Sequence, residues 1–306
     1  MRWCSFASVV GGGTPRLGAV RDGVDAVLDA GVWARSVGAG VPPDLADLVA
    51  ASPAVQERVT RLVGSAPDDG PWWVDGVGAR LLAPLRAPNS LRDFLTFPDH
   101  AARGAARRGS AVPPAWERIP VFYKGNRRSV VGPGEQVSWP SYTQKMDFEC
   151  EVAAVVGRGG RDLGVAEAPA HVFGYTIMND WSARDIQREE MSCWLGPAKG
   201  KDFATSLGPW LVTPDEWSPE QPHAMEVAVD GEVWARGSTA GRRWSFAEML
   251  AWASRDEDLW ASDVLGSGTF GGGCGLDLDR WIGPDVVVTL RVEGLGELTN
   301  RVVRRH

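Results

Sequence analysis

At 306 residues, 44% hydrophobic and 23% charged, the chain can bury one large core and a smaller one. A net charge of -7 argues against nucleic acid as a partner, and no apolar run reaches the length of a membrane helix. The start, Met1-Arg2-Trp3-Cys4, lacks a leader's apolar stretch, and Cys4, Cys150, Cys193 and Cys274 form no Cys-x-x-Cys pair, so the expectation is a cytoplasmic protein with reduced thiols.

Residues 1–86 read as a small N-terminal α+β domain and 87–306 as a larger, β-rich one. Trp3 to Val10 and Leu17 to Val24 are strand candidates around the turn Gly11-Gly12-Gly13-Thr14-Pro15. Leu45, Leu48, Val49, Val55, Val59 and Leu62 recur at helical spacing, and Pro53 splits that segment into two helices. Leu91 to Arg107 reads as a helix kinked or broken at Pro98. Strands are expected at Val130 to Trp139, Cys150 to Gly157, Val172 to Met178, Leu207 to Thr213, Met225 to Val229, Glu232 to Gly237 and Val286 to Glu293, with Asp230-Gly231 as a two-residue hairpin turn. Ser182 to Glu190 and Phe246 to Ala253 read as helices, the second with Ser245 and Glu248 as a capping box. Arg301, Arg304 and Arg305 read as a solvated tail, and His223 and His306 as solvated side chains. Many irregularly spaced strands with few helices point to a mixed, β-rich α+β roll rather than a doubly wound sheet.

Candidate chemistry begins at Glu149 and Glu151, which precede the apolar run Val152 to Gly157. In a strand, residues two apart share a face, so both carboxylates point the same way. Like charges beside a core repel each other and are costly to desolvate, and a hard divalent cation removes both costs. Asp180, after the apolar run Val172 to Met178, could supply a third carboxylate. Asp93 and His100 stand seven apart, so they share a helix face if Pro98 only kinks the helix. From spacing alone, a solvated polar face is the commoner use of such a pair. Arg184 and Gln187 lie together if Ser182 caps a helix, which would offer donors to an anionic, oxygen-rich substrate; an exposed polar turn is the plain alternative. Lys201, in a Gly-rich segment, is either a loop lysine or a holder of an oxyanion or enolate.

Taken in order, these pieces resemble the fumarylacetoacetase superfamily. The resemblance is carried by the Glu-x-Glu pair Glu149 and Glu151, the box Asn179-Asp180-Trp181-Ser182-Ala183-Arg184-Asp185-Ile186-Gln187, the segment Gly200-Lys201-Asp202-Phe203-Ala204-Thr205 and the turn Ser267-Gly268-Thr269. It implies a mixed β-sheet roll of the fumarylacetoacetase C-terminal type. Its metal ligands fall on Asp93, Glu149, Glu151 and Asp180, for Mg²⁺ or Ca²⁺, with Mn²⁺ possible. Its catalytic histidine falls on His100, and its catalytic and substrate donors on Arg184, Gln187 and Lys201. Tyr123 and Thr269 fall at further substrate contacts. Two positions depart from the pattern. The glutamate that orients the histidine is replaced by Asp277, which is one methylene shorter, so a longer or water-mediated bond to His100 is expected. A tyrosine two residues after the first ligand is replaced by Leu95, which implies a different substrate tail. The resemblance implies a homodimeric hydrolase acting on a C–C bond of a small diketone or acylpyruvate-like keto acid. Alternatives on the same metal site are a decarboxylase, isomerase or hydratase-type lyase of a 2-oxo or β-keto acid, and a non-catalytic ligand-binding homologue.

Overall fold

The computed structural model of the chain describes residues 1–9, 13–21 and 26–304. The turn glycines Gly11 and Gly12, the far ends of the first two strand candidates, Arg305 and His306 lie outside the described residues. The fold is α+β and β-rich, with about 34% strand and 22% helix. Among the described residues, no helix is long and apolar enough to cross a membrane.

Two strands form the centre, Cys150–Val156 and Val172–Asp180, and every residue of both is buried. Such continuous apolar runs suit strands covered on both faces. They pair antiparallel with Cys150 opposite Asn179 and Ala154 opposite Tyr175. The two faces enter different cores. Val152, Ala154 and Val156 pack with Ile177, Phe246 and Leu290, whereas Ala153 and Val155 pack with Trp3, Leu48 and Leu207. Glu149 and Glu151 have the parity of Ala153 and Val155, so they share one face.

Around this pair runs a twelve-stranded sheet. On one side Val172–Asp180 pairs with Thr205–Val212, which pairs with Arg2–Ser8, followed by Arg16–Val20, Ala26–Asp29 and Trp73–Asp75. On the other side Cys150–Val156 pairs with Asp263–Gly266, then come Ser90–Phe94 and Phe122–Lys124. Ala79–Leu82 pairs with Arg2–Ser8, and Val130–Val131 runs parallel to Thr205–Val212. The strands of the first 86 residues therefore continue the sheet that carries the carboxylates. Their helices, Ala30–Ser36, Leu45–Ala50 and Pro53–Gly64, cover one face. A five-stranded sheet, ordered Glu232–Ser238, Ala224–Val229, Val287–Val292, Gly296–Arg304 and Gln136–Trp139, lies against the other core. Its first hairpin turns at Asp230 and Gly231, with φ of 49° and 81°, the left-handed pair that a type I′ turn requires.

Several expectations are corrected. Leu91 to Arg107 is not one helix: Ser90–Phe94 is a strand and the helix is Pro98–Arg107. Phe97 is held extended (φ -90°, ψ 120°), as a residue before proline prefers, and Ser90–Phe94 is claimed by partners on both sides. Ser182 does not cap a helix: Ser182–Ala183 pairs with Met146–Asp147, and the helix is Arg184–Ser192. Val130 to Trp139 splits at Gly132-Pro133-Gly134 into two strands in different sheets. Arg301 and Arg304 are exposed, as expected, but they belong to a strand and not a tail, because Gly296–Arg304 runs parallel to Gln136–Trp139. His223 is half-buried, stacked 4.4 Å from Trp217, with Nε2 2.9 Å from the Ser218 carbonyl.

The helix Phe246–Ala253 has both halves of its capping box: the Glu248 N–H donates to Ser245 Oγ at 3.2 Å, and the Ser245 N–H donates to Glu248 Oε2 at 2.8 Å. Ser245→Ala should therefore lower the free energy of unfolding by about 1 kcal/mol. A urea titration would show this as a lower midpoint at an unchanged slope, and an unmoved midpoint would remove the cap from the account.

Candidate functional site

Four carboxylates carried by three strands meet on one face of the sheet, with Asp263–Gly266 lying between the strand of Asp93 and Cys150–Val156. Asp93 lies opposite Gly266 on one side and Tyr123 on the other. Glu151 is the second residue of Cys150–Val156, and Glu149, just ahead of that strand, bridges to Cys274. Asp180 ends Val172–Asp180. One oxygen from each of the four lies within 4.8 Å of the others, and all four residues are buried.

Two glycines make the convergence possible: Gly266, which carried no role in the sequence reading, and Gly268, named there only as part of a turn. A Cβ on Gly266 would sit 2.7 Å from Asp93 Oδ1, 2.9 Å from Glu151 Oε2 and 2.2 Å from Met178 Cε. Gly268 has a φ of +74°, and a Cβ there would lie 2.3 Å from the Phe94 carbonyl oxygen. Its N–H donates to Glu151 Oε2 at 2.9 Å and Asp93 Oδ1 at 3.3 Å. Gly268 stood in the quoted Ser-Gly-Thr turn, but only the structure shows which contact requires it.

The cluster is electrostatically lopsided. Burial tends to raise the Glu149 carboxyl, but Arg184, Lys201 and His100 together hold it well below the usual range. Arg184 Nη2 donates to Glu149 Oε1 at 2.7 Å, and Lys201 Nζ donates to Glu149 Oε2 at 2.6 Å. Lys201 also donates to Asp180, as does the Tyr123 hydroxyl at 2.8 Å. Asp93 and Glu151 have no such cation on them. Burial first, then the neighbouring carboxylates, pushes both well above the ordinary range, and Asp180 is raised as well. Burial alone would lower Lys201, yet Asp180 and Glu149 push it up and keep it charged.

This donor set fits a hard divalent cation. It is all oxygen and concentrates negative charge in a buried space. Glu151 Oε1 is buried without a hydrogen-bond partner, and such an orphan atom calls for a ligand.

His100 stands at the edge of the cluster, carried by the helix Pro98–Arg107 rather than sharing an element with Asp93. Its Nδ1 is 3.0 Å from Asp277 Oδ2, and its Nε2 is 3.8 Å from Glu149 Oε1. The bond to Asp277 is direct, not lengthened as its shorter side chain led us to expect. The Gly272 N–H also donates to Asp277 Oδ2, at 3.0 Å. Cys274 Sγ, which carried no role in the sequence reading, lies 3.9 Å from His100 Nδ1.

The other candidates are placed as follows. Arg184 opens the helix Arg184–Ser192, and its Nη1 donates to Gln187 Oε1 at 3.1 Å. Its Nε donates to the buried carboxylate of Asp147 at 2.7 Å, a partner the sequence reading did not single out. Thr269 is fully enclosed, with its hydroxyl donating to the Cys150 carbonyl at 3.0 Å, so that group faces the strand. The half-buried Leu95 accepts, through its carbonyl, the indole N–H of Trp116 at 2.7 Å.

Comparison with known proteins identifies the family. The family described as fumarylacetoacetate (FAA) hydrolase C-terminal matches residues 90–303. Protein Rv2993c of Mycobacterium tuberculosis is 32% identical over 231 residues, covering 74% of this chain and 79% of that protein. The human mitochondrial oxaloacetate tautomerase FAHD2A is 35% identical over 190 residues, covering 60% of this chain and 59% of that protein. Among solved structures, a fumarylacetoacetate hydrolase from Exiguobacterium antarcticum superposes over 100% of both chains with a TM-score of 0.76 at 27% identity. The match spans the strands that bring Asp93, Glu149, Glu151 and Asp180 together, and the chain belongs to the fumarylacetoacetate hydrolase C-terminal family.

Proposed function

We propose that this chain is a divalent-metal-dependent hydrolase that cleaves a C–C bond in a 1,3-diketone or acylpyruvate-like acid. The observation that carries the reading is the placement of His100. Its Nδ1 is committed to Asp277 and its Nε2 is turned towards the carboxylate cluster, as a water-activating base beside a metal site requires. In this reading residues 87–306 form the catalytic domain, 1–86 a smaller unit beside it, and the working form is a homodimer.

Asp93, Glu149, Glu151 and Asp180 would hold the ion, one of Mg²⁺, Ca²⁺ or Mn²⁺, which would supply Lewis-acid polarisation of a substrate carbonyl. The chain's own groups do the rest. Asp277 accepts from Nδ1–H and so leaves the lone pair of His100 on Nε2, which takes a proton from water. The hydroxide attacks the carbonyl carbon. Arg184, Gln187 and Lys201 donate to the resulting oxyanion and then to the enolate that departs with the electron pair of the broken C–C bond. Lys201, pushed up by its two carboxylates, acts as a fixed cation and not as a base. Tyr123 lies beside the cluster through its bond to Asp180, whereas the hydroxyl of Thr269 is spent on the Cys150 carbonyl and would support the site from behind.

One relative supports a second reading. The 35% identical human protein is named an oxaloacetate tautomerase, and the same His100 could shuttle a proton between carbon and oxygen of a 2-oxo acid without consuming water. Mass spectrometry separates the two on a panel of acylpyruvates, β-diketones and oxaloacetate. Hydrolysis adds one water and splits the substrate, tautomerisation leaves the mass unchanged, and decarboxylation loses CO₂. We expect the first, and an unchanged mass together with an enzyme-accelerated change in the enol absorbance of oxaloacetate would replace hydrolysis with tautomerisation.

His100→Ala should lower kcat by about 10²–10⁴-fold, the usual contribution of a general base. Mn²⁺ affinity, read by calorimetry, should survive, and full turnover by the variant would end the base assignment. The metal site should also be pH-linked. Asp93 and Glu151 are raised in the metal-free fold, so they retain protons above the usual carboxylate range, and a bound cation needs them ionised. Their raised values weigh against the metal-free fold as pH rises through them, so Mg²⁺ should stabilise more as pH increases. Titration in buffers of different ionisation enthalpy should reveal proton release on binding, and an absence of release would contradict the raised values.

A further inference from the structure

We infer that Asp147 is a positioning residue whose single buried carboxylate locks the His100–Asp277 pair in register with the Arg184 donor. The inference deepens the hydrolytic reading above, and its kinetic consequence rests on that reading. Asp147 ends the short strand Met146–Asp147 and is completely buried. Its Oδ2 accepts from Arg184 Nε at 2.7 Å and from the Leu276 N–H at 2.9 Å. Its Oδ1 accepts from the Gly275 N–H at 2.8 Å and from the Phe148 N–H at 2.9 Å.

Those contacts tie together two pieces of the site that are otherwise separate. Gly275 and Leu276 open the short helix Gly275–Leu278, which carries Asp277 and therefore the orientation of His100. The residue before that helix, Cys274, makes no side-chain cap bond, so the remote carboxylate serves as the cap. Gly275 is required for the approach, since a Cβ there would lie 2.6 Å from Asp147 Oδ1. On the other side Asp147 holds the Nε edge of the guanidinium while Glu149 holds Nη2, which fixes the plane of Arg184. One carboxylate thus sets the base and the oxyanion donor relative to each other, without touching either the reacting atoms or the four metal ligands.

The chemistry of the contacts supplies the test. All four partners are donors, which only a carboxylate satisfies. An amide has a single acceptor oxygen, so in Asp147→Asn one pair of donors must face an NH₂ group: turned one way, Arg184 Nε–H and the Leu276 N–H lose their acceptor, and turned the other, the Gly275 and Phe148 N–H groups lose theirs and the helix start is held through Leu276 alone. Proton exchange by ¹⁵N NMR reads the link directly, with the Arg184 Nε–H identified as the signal missing from Arg184→Lys. In the unmodified protein the Arg184 Nε–H and the Gly275 and Leu276 amides should all exchange at least about tenfold more slowly than exposed groups. In Asp147→Asn one set should lose that protection. Well below the melting temperature kcat should fall about tenfold or more, with KM changing less and Mn²⁺ affinity held within about threefold. A purely structural role would lower the melting temperature and leave kcat alone. That result, protection retained by both sets in the variant, or rapid exchange in the unmodified protein would each overturn the inference. If the variant does not fold, exchange in the unmodified protein decides. If the unmodified protein turns over nothing in the keto-acid and diketone panel, the reaction assignment fails, while exchange still decides the Asp147 link.

Discussion

Four buried carboxylates within 4.8 Å repel one another, and much of the surrounding structure acts to offset that repulsion. Two different means are used on the two sides of the cluster. Glu149 is met by Arg184 and Lys201, and Asp180 by Lys201 and the Tyr123 hydroxyl. Asp93 and Glu151 share the Gly268 N–H and have no side-chain cation bonded to them among the described residues. The protein therefore leaves the Asp93–Glu151 side short of positive charge, and the orphan Glu151 Oε1 lies there. A cation completes that side, whereas protonation is the alternative in its absence.

The same cations define the polarity of the site. Arg184 and Lys201 are fully enclosed and each is tied to two carboxylates, so neither is free to give up its proton. They are suited to stabilising negative charge and unsuited to removing a proton. His100 differs from them. It is partly exposed, hydrogen-bonded through one nitrogen and open at the other, which is the arrangement for proton transfer. Arg184 Nη2 and His100 Nε2 thus both lie beside Glu149 Oε1, a fixed donor next to an imidazole.

Sheet topology brings these groups together. Asp93 and Gly266 are register partners in a parallel pair, and the absence of a side chain at Gly266 is what admits the carboxylates of Asp93 and Glu151. Asp277 and His100 are held by two short helices that meet beside the sheet rather than by any strand. The asymmetry has a physical basis. Strands fix the four carboxylates relative to one another, and His100 is placed from outside the sheet with Asp277 as its partner.

The local rules were readable in the chain. Period-two spacing put Glu149 and Glu151 on one face, Asp-Gly marked the hairpin at Asp230 and Gly231, and Ser245 with Glu248 marked a helix start, because each depends only on residues close in sequence. The resemblance to the fumarylacetoacetase superfamily rested on contiguous boxes such as Asn179 to Gln187 for the same reason. Residues 90–94 were misread because helix and strand spacing are ambiguous over so short a run, and pairing with 263–266 and 122–124 decided the outcome. Nothing local marked Gly266 or Asp147, or showed what Gly268 touches, because their partners lie on other elements, some more than a hundred residues away. The amino-acid sequence by itself determined which groups could bear the chemistry. Only the tertiary structure decided their distances, their partners and which of them are charged, because burial and repulsion arise only when the strands close on one another.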